Sequence, residues 1–383
     1  MFRLPPCPPD LKLTPPLWET AVMPRKKRSA QRKGKKPAPA DGPISLRALS
    51  DYLGLAPATL SLVLNASPVA RSIPKETKDR IFRAAKRFNY RPNFFARSLR
   101  AQRSYTIGVV VPEVSEGYEA LVLSGIEDYL LQAGYFYLVA SHRHKPDLID
   151  ECPRLLLERS VEGLIAVDTP CSSPLPVPVV AVSGEHDLKG ITTIRVNHQA
   201  AARLGLEHLF NLGHRRIAFI KGQAFSSDTE DRWKAICRAA RALGLEVNPQ
   251  LVAQLVGDAP SPQLGYVATQ KILAGRQPFT ALFAFNDVSA IGAIHALRQT
   301  GRRIPEDVSV VGFDDIASAA FQSPALTTIR QPLWKMGQLA GETVLQRIAN
   351  SAQKPPPQLL IVEPELIIRE STGPARMDDI RGH

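Results

Sequence analysis

Cysteine is scarce: the 383 residues hold four, Cys7, Cys152, Cys171 and Cys237, far apart and with no CxxC pair. That spacing excludes a disulfide framework, suggests no zinc site and fits a reducing compartment. Long apolar runs are missing too. The stretch from Val177 to Val182 is interrupted by Pro178 and falls far short of the ~20 residues a membrane-crossing helix needs. The proline-rich start lacks the apolar stretch of a secretory signal, so the expected location is the cytoplasm, with no membrane partner. No HExxH pair, glycine-rich phosphate loop or GxSxG elbow occurs, which disfavours an enzyme and leaves no cofactor to expect. His142, His144, His186 and His198 lack ligand spacing and read as structural or solvated rather than metal-binding.

Acid is short at one end. Residues 1 to 105 carry 6 acidic against 22 basic side chains, net +16, whereas residues 106 to 383 carry 30 acidic and 26 basic, net −4. The overall +12 therefore belongs to the N-terminal end. A basic module on a near-neutral body implies a polyanion, nucleic acid or an anionic membrane surface, met by the first third alone. At 44% apolar content the chain has material for two or three packed domains. Residues 1–43 join a proline-rich start to the cationic run Arg25 to Lys36 and show no hydrophobic periodicity. They are expected to be a disordered extension, either a solvated tail or an arm that contacts phosphates.

From Ser45 the pattern becomes helical. Ser45 can cap a short helix with Leu46, Leu49 and Leu53 on one face, ended by Gly54. Pro57, suited to a first helical position, opens a second helix with Leu60, Val63 and Leu64 turned to a core. A third helix, about Lys75 to Phe88, sets Ile81, Ala84, Ala85 and Phe88 against Lys78, Arg83, Lys86 and Arg87 on its outer face. Helix, glycine-containing turn, helix is the arrangement that places a second helix in a DNA major groove, and the local charge favours that reading over an ordinary helical hairpin. Beyond Tyr105 strands and helices alternate: Thr106 to Val111, Glu119 to Gln132, Tyr135 to Val139, and again at Arg216 to Ile220, Asp228 to Leu243, Ala281 to Phe285, Ser289 to Thr300 and Val308 to Gly312. The fold expected is an all-α helix-turn-helix headpiece followed by an α/β core of two lobes, each a parallel sheet with helices on both faces. Ligands in such sheets bind at the carboxyl ends of strands, so a cleft between lobes is the default site.

Several segments, in order, carry a resemblance. They are Leu55-Ala-Pro-Ala-Thr-Leu-Ser-Leu-Val-Leu-Asn65, Asn89-Tyr-Arg-Pro-Asn-Phe-Phe-Ala-Arg-Ser-Leu-Arg100, Ile107-Gly-Val-Val-Val-Pro112, His208-Leu-Phe-Asn-Leu-Gly-His-Arg-Arg-Ile-Ala-Phe-Ile220, Phe285-Asn-Asp287, Ile304-Pro-Glu-Asp-Val-Ser-Val-Val-Gly-Phe-Asp-Asp315 and Leu326-Thr-Thr-Ile-Arg-Gln-Pro332. From about Ile44 to Arg369 the chain resembles the lactose-repressor (LacI/GalR) family of bacterial transcription regulators. The resemblance implies a headpiece (44–91), a hinge helix and linker (92–104), a two-lobed core like periplasmic sugar-binding proteins (105–375) and a short tail (376–383). It also implies a homodimer on a pseudo-palindromic double-stranded DNA operator at the nucleoid, with a small-molecule effector, a carbohydrate or derivative, changing DNA affinity; most members repress.

By the same resemblance DNA is met by Pro57, Ala58, Thr59, Ser61, Leu62 and Asn65 of the second helix, and by Asn93, Ala96, Arg97 and Leu99 of the hinge. Leu99 matches a leucine that wedges into the minor groove, where unstacking costs a few kcal/mol, offset by the contacts of a bent duplex. A hinge of seven or eight residues is too short to be helical alone and should form on DNA beside its partner. Pro57, Ala58 and Leu62 stand where polar or cationic groups are usual. Periodicity puts Leu62 beside Ala58, either facing DNA or packed on the third helix. If it faces DNA, it forfeits the ~1–3 kcal/mol of a bidentate base contact, and affinity leans on phosphates. For the effector the resemblance points to Tyr118, Asn197, Arg232 and Asp287, each of which is open to a reading as a helix cap. Ser183-Gly184 replaces a usual acid, and Gly257 to Pro262 lacks a stacking aromatic, so an alternative is an architectural DNA binder whose cleft senses nothing. An exported sugar-transport component shares only the lobes and remains a fold analogue.

Overall fold

Ser45 accepts a hydrogen bond from the Ala48 amide at 3.1 Å and starts α1 (Leu46–Leu53); Gly54, at φ 67°, ends it in the left-handed region that glycine adopts without steric cost. The computed structural model describes residues 44–65, 68–90, 103–114, 117–171, 174–183, 190–258, 261–350 and 358–376. The chain divides into two compact units, Met1–Phe94 and Phe95–His383. In the first, α2 (Pro57–Leu64) opens on Pro57 and α3 (Lys75–Arg87) follows a 3-10 turn, Pro68–Ser72, that periodicity did not foretell. Leu49, Leu60, Val63, Ala70, Ile81 and Ala84 are buried together, and Tyr52 packs edge-on against Phe88 at 4.7 Å between ring centres. This is the three-helix core expected from the sequence. The extension (1–43) and the hinge residues Asn93, Ala96, Arg97 and Leu99 lie outside the described residues.

The second unit opens as a βα alternation: β1 (Thr106–Val111), α4 (Tyr118–Gln132), β2 (Phe136–Ser141), α5 (Pro146–Glu158), β3 (Gly163–Val167), β4 (Val179–Val182) and β5 (Ile191–Val196). The second lobe holds α6 (His198–Asn211), β6 (Ile217–Lys221), α7 (Thr229–Ala242), β7 (Val252–Gln254), α8 (Pro262–Ala274), β8 (Ala281–Phe283), α9 (Asp287–Gln299), β9 (Ser309–Asp314), α10 (Ala317–Ala320) and β10 (Thr327–Arg330). Then α11 (Leu333–Ala349) and β11 (Gln358–Val362) return to the first lobe, and β12 (Glu365–Ile367) pairs antiparallel with β10. The sheets run β11-β5-β4-β3-β1-β2 and β12-β10-β9-β8-β6-β7, six strands each. Strands β1, β3 and β4 are buried at every position, the signature of a parallel sheet covered on both faces.

The chain crosses between lobes three times, after β5, β10 and β11. Asn197 and Glu363, on two of the crossings, are hydrogen bonded at 3.0 Å, and Gln331 on the third donates to Asp314 at 2.7 Å. Two helix pairs, α4 with α11 and α8 with α9, pack backbone to backbone. A Cβ on Gly125 of α4 would collide with the Trp334 carbonyl on α11, and one on Gly292 of α9 would collide with the Pro262 carbonyl on α8. The N-terminal ends of α4, α8 and α9 thereby deliver Tyr118, Ser261 and Asn286 to one cavity.

Candidate functional site

On α2 the outward face is narrow. Pro57, Ala58 and Asn65 are exposed, and Thr59 and Ser61 are half-buried. Asn65 Nδ2 donates to the Ser61 carbonyl at 2.8 Å and lies 3.2 Å from its hydroxyl, which fixes the amide at the helix end. Leu62 is half-buried, with part of its side chain packed against the headpiece cluster and part open to solvent. Two turns of helix wedged against α1, α3 and the 3-10 turn leave little outer face, and the branched leucine closes over the rim of the core. Arg71, Lys75, Arg80, Arg83, Lys86 and Arg87 are all exposed, so the net positive charge of this unit is solvent-facing.

In the second unit a cavity of about 110 Å³ opens between the lobes at the carboxyl ends of their strands, room for several waters or one small molecule. Tyr118, half-buried at the start of α4, shares a 2.5 Å hydrogen bond between its hydroxyl and that of Ser183; desolvation of the hydroxyl drives its phenol well above its ordinary range. Arg232 comes from the first turn of α7. Its guanidinium lies between the Phe313 and Phe285 rings, 3.8 and 4.4 Å from their centres, donates to the Phe285 carbonyl at 2.6 Å and sits 3.3 Å from Asp228. Its Nε is buried with no hydrogen-bond partner among the described residues.

Carboxyl groups dominate the rest. Asp168 follows β3 and Asp314 ends β9; burial raises both to about 7, and for Asp168 the neighbouring Asp228 adds to it, while for Asp314 nearby Arg232 pulls the other way. Burial holds Glu119 at about 8. The lobes touch across the cavity: Ser227 donates its hydroxyl to Asp168, and the His144 ring lies tilted on Phe225 at 4.1 Å. His142 behind them is not a ligand in waiting. Its Nδ1 accepts from the His144 amide and Nε2 lies 3.1 Å from the Thr169 hydroxyl, while desolvation holds it at about 4, neutral. Among the described residues no three His, Cys, Asp or Glu side chains converge as a metal site.

Of the four effector residues implied by resemblance, Tyr118 and Arg232 line this cavity and Asn197 and Asp287 do not. Asn197 caps α6 through its Oδ1 and holds Glu363 through Nδ2. Asp287 is fully buried beneath the cavity floor, accepting from Thr328 at 2.6 Å and from the Ile316 amide at 2.9 Å; its neighbour Asn286, with Ser289, forms the capping box of α9 and faces the cavity. Asp168, Asp228 and Asp314 were not singled out from the sequence. The signal existed: two of them stand at the carboxyl end of a strand.

Residues 206–372 match the periplasmic binding protein-like domain. The chain is 31% identical over 336 residues to the HTH-type transcriptional repressor PurR of Aliivibrio fischeri, covering 85% of this chain and 98% of that one, and 29% identical over 337 residues to PurR of Haemophilus influenzae, with the same coverage. A lac repressor dimer bound to operator and the anti-inducer ONPF superposes with a TM-score of 0.78 at 26% identity, over 87% of this chain and 100% of that one. The transcriptional regulator CelR in complex with cellobiose gives 0.64 at 27% identity, over 86% and 99%. Among the described residues no helix is long and apolar enough to cross a membrane. End-to-end similarity to repressors, a three-helix headpiece and a two-lobed core together place the chain in the lactose-repressor family of transcription regulators, which are not enzymes.

Proposed function

We propose that the protein is a cytoplasmic repressor that binds a pseudo-palindromic DNA operator as a homodimer and changes its grip when a small polar effector enters the interlobe cleft. The observation that carries this is the pairing, in one chain aligned over its length with repressors, of a basic three-helix headpiece and a cleft lined by both lobes. The domain division follows: an arm (1–43), the headpiece (44–91), a hinge and linker (92–104), the core (105–375) and a tail (376–383).

In this reading Pro57, Ala58, Thr59, Ser61 and Asn65 meet the major groove, and Asn93, Ala96, Arg97 and Leu99 meet the minor groove at the operator centre. Because the exposed start of α2 offers no side-chain donor, selectivity leans on DNA shape and the hinge step, and affinity on phosphates. Tyr118 and Arg232 contact the effector; Asn197 and Asp287 act from behind, holding the crossings and the cavity floor. Both lobes contribute to the cavity, so an occupant biases how they close, which is the differential contact a switch requires.

Selection of bound genomic fragments at fixed salt, followed by footprinting, tests this. Protection of a palindrome with a deformable central step supports it. The same apolar start of α2 favours a second reading, an architectural binder, which random coverage and indifference to any ligand would support. A monomer that ignores oligonucleotides in dilute buffer overturns both.

A further inference from the structure

The core repeats one plan in two lobes, and their outer ends differ in charge. Glu113, Asp168, Leu255 and Phe285, which line the cleft, each follow the carboxyl end of a strand. The amino ends of both sheets, with the turns that feed them, therefore lie at the poles away from the cleft. In the second lobe four segments run from the last turn of a helix to the next strand: 208–216, 239–251, 271–280 and 296–308. Together they hold eight Lys and Arg against three Asp and Glu, net +5, although residues 106 to 383 as a whole are net −4. The matching segments of the first lobe that are described throughout, 129–135 and 155–162, hold one base and two acids.

Helix dipoles do not explain the difference. They favour Arg241, Lys271 and Arg298 in the last turns of α7, α8 and α9, but the last turns of α4 and α5 hold no base, and the other five cations of the second lobe stand in turns. Contacts join these turns into one surface. The Thr280 amide donates to the Arg216 carbonyl at 3.0 Å, and the Ser309 amide to the Thr280 carbonyl at 2.9 Å. Arg302 lies 5.7 Å from the centre of the Phe279 ring, and a Cβ on Gly275 would lie 3.7 Å from the Gln250 carbonyl oxygen.

The charge on this surface is free. Arg241, Lys271, Arg276 and Arg298 are exposed and form no ion pair among the described residues, while Asp307, one of the three acids, is taken by Arg303 and Arg376. None of the large apolar side chains that stand exposed falls within the four segments. A protein partner is anchored by aromatic and aliphatic groups at a desolvated centre; a field of guanidinium without such anchors fits a phosphate backbone, which arginine meets with paired donors.

We infer that the outer end of the second lobe is a second polyanion-binding surface, which takes the phosphate backbone of a duplex DNA segment other than the one held by the headpiece. The chain enters the core at the opposite end, through Arg103 and Tyr105 before β1, so the surface is no extension of the linker. It reads no bases, and it lets go as salt rises.

A sandwich assay with the full chain tests this. A selected duplex is immobilised and saturated with protein, and a fluorescent random-sequence duplex of about 30 base pairs is added at about 50 mM salt. The labelled duplex is expected to be retained, with an affinity that falls at least about tenfold by 200 mM salt. The triple variant Arg241→Glu, Arg276→Glu, Arg298→Glu is expected to lose that retention by about tenfold or more while holding the immobilised duplex as the parent does. Glutamine at the same positions repeats the comparison should reversed charge disturb folding, which the thermal midpoint reports. If the headpiece holds no DNA, the labelled duplex titrated directly against parent and variant reads the surface alone. Equal retention by parent and variant overturns the inference. Polyglutamate that binds the parent more tightly than the duplex does assigns the surface to an acidic protein and overturns it as well.

Discussion

The headpiece and the two-lobed core solve the folding problem with opposite resources. Six buried side chains, two of them alanines, hold the first together, and its surface is cationic. The core is built on two six-stranded sheets with continuous apolar layers, and places its polar groups at the strand ends, where they are buried and acidic. A small core gives little margin, so the headpiece is a module whose stability and affinity are to be completed by a polyanion. The core needs no such completion for its fold, only for its cleft.

The largest effect expected from that contrast is electrostatic and belongs to the headpiece. With six to ten phosphate contacts, DNA affinity should fall about 10³- to 10⁵-fold between 50 and 200 mM salt, and deletion of residues 1–40 should flatten the slope. Binding titrations at four salt concentrations measure it; a shallow slope in the intact chain would erase the distinction between the units. Next comes Arg232→Met in the core. The methionine keeps volume between Phe285 and Phe313 but leaves Asp228 facing Asp168 and Asp314 without the guanidinium, at a cost of about 3–5 kcal/mol, so the core's thermal midpoint should drop by roughly 10 °C. Leu60→Ala tests the other unit. Removing a fully buried leucine costs about 2–5 kcal/mol, enough to unfold so small a module, so calorimetry should show the headpiece transition lost and DNA binding with it. A core transition that moves equally would show that the two units are not separable.

Legibility in the sequence followed the same divide. Helical periodicity placed α1, α2 and α3 within a residue or two, because caps such as Ser45 and Gly54 and the proline at position 57 act locally. Strand β1 was placed at its observed bounds for an equally local reason, an unbroken apolar run that Pro112 ends. Leu62 stayed ambiguous since which neighbour covers a flank depends on how three helices pack. The cleft was harder still. Its place at the strand ends follows from βα order, but Asp168, Asp228 and Asp314 are about 60 or more residues apart in sequence and meet only because the lobes close. Family correspondence points to Tyr118 and Arg232, which line the cavity, and to Asp287, which is buried while its neighbour Asn286 lines the cavity.

The smallest effect sharpens the contrast most, because it is a cost carried by the empty core alone. Asp168 and Asp314 have folded-state values near 7 against an ordinary 3.8, so between about pH 4 and 7 the folded chain holds more protons than the unfolded one. Stability from these groups is therefore full at acid pH and is lost as the pH rises through 7. Asp168→Asn removes one titrating group but keeps the oxygen that accepts from Ser227, and Asn tolerates the positive φ of 39° at this position. The variant should match the parent near pH 4, gain on it as the pH rises towards 7, and exceed it at pH 8 by about 1–3 kcal/mol, several degrees in thermal midpoint. Midpoints measured at half-unit intervals decide the matter: curves that stay parallel from pH 4 to 8 would mean that Asp168 is already ionised without penalty, and that burial does not hold a proton at the end of β3.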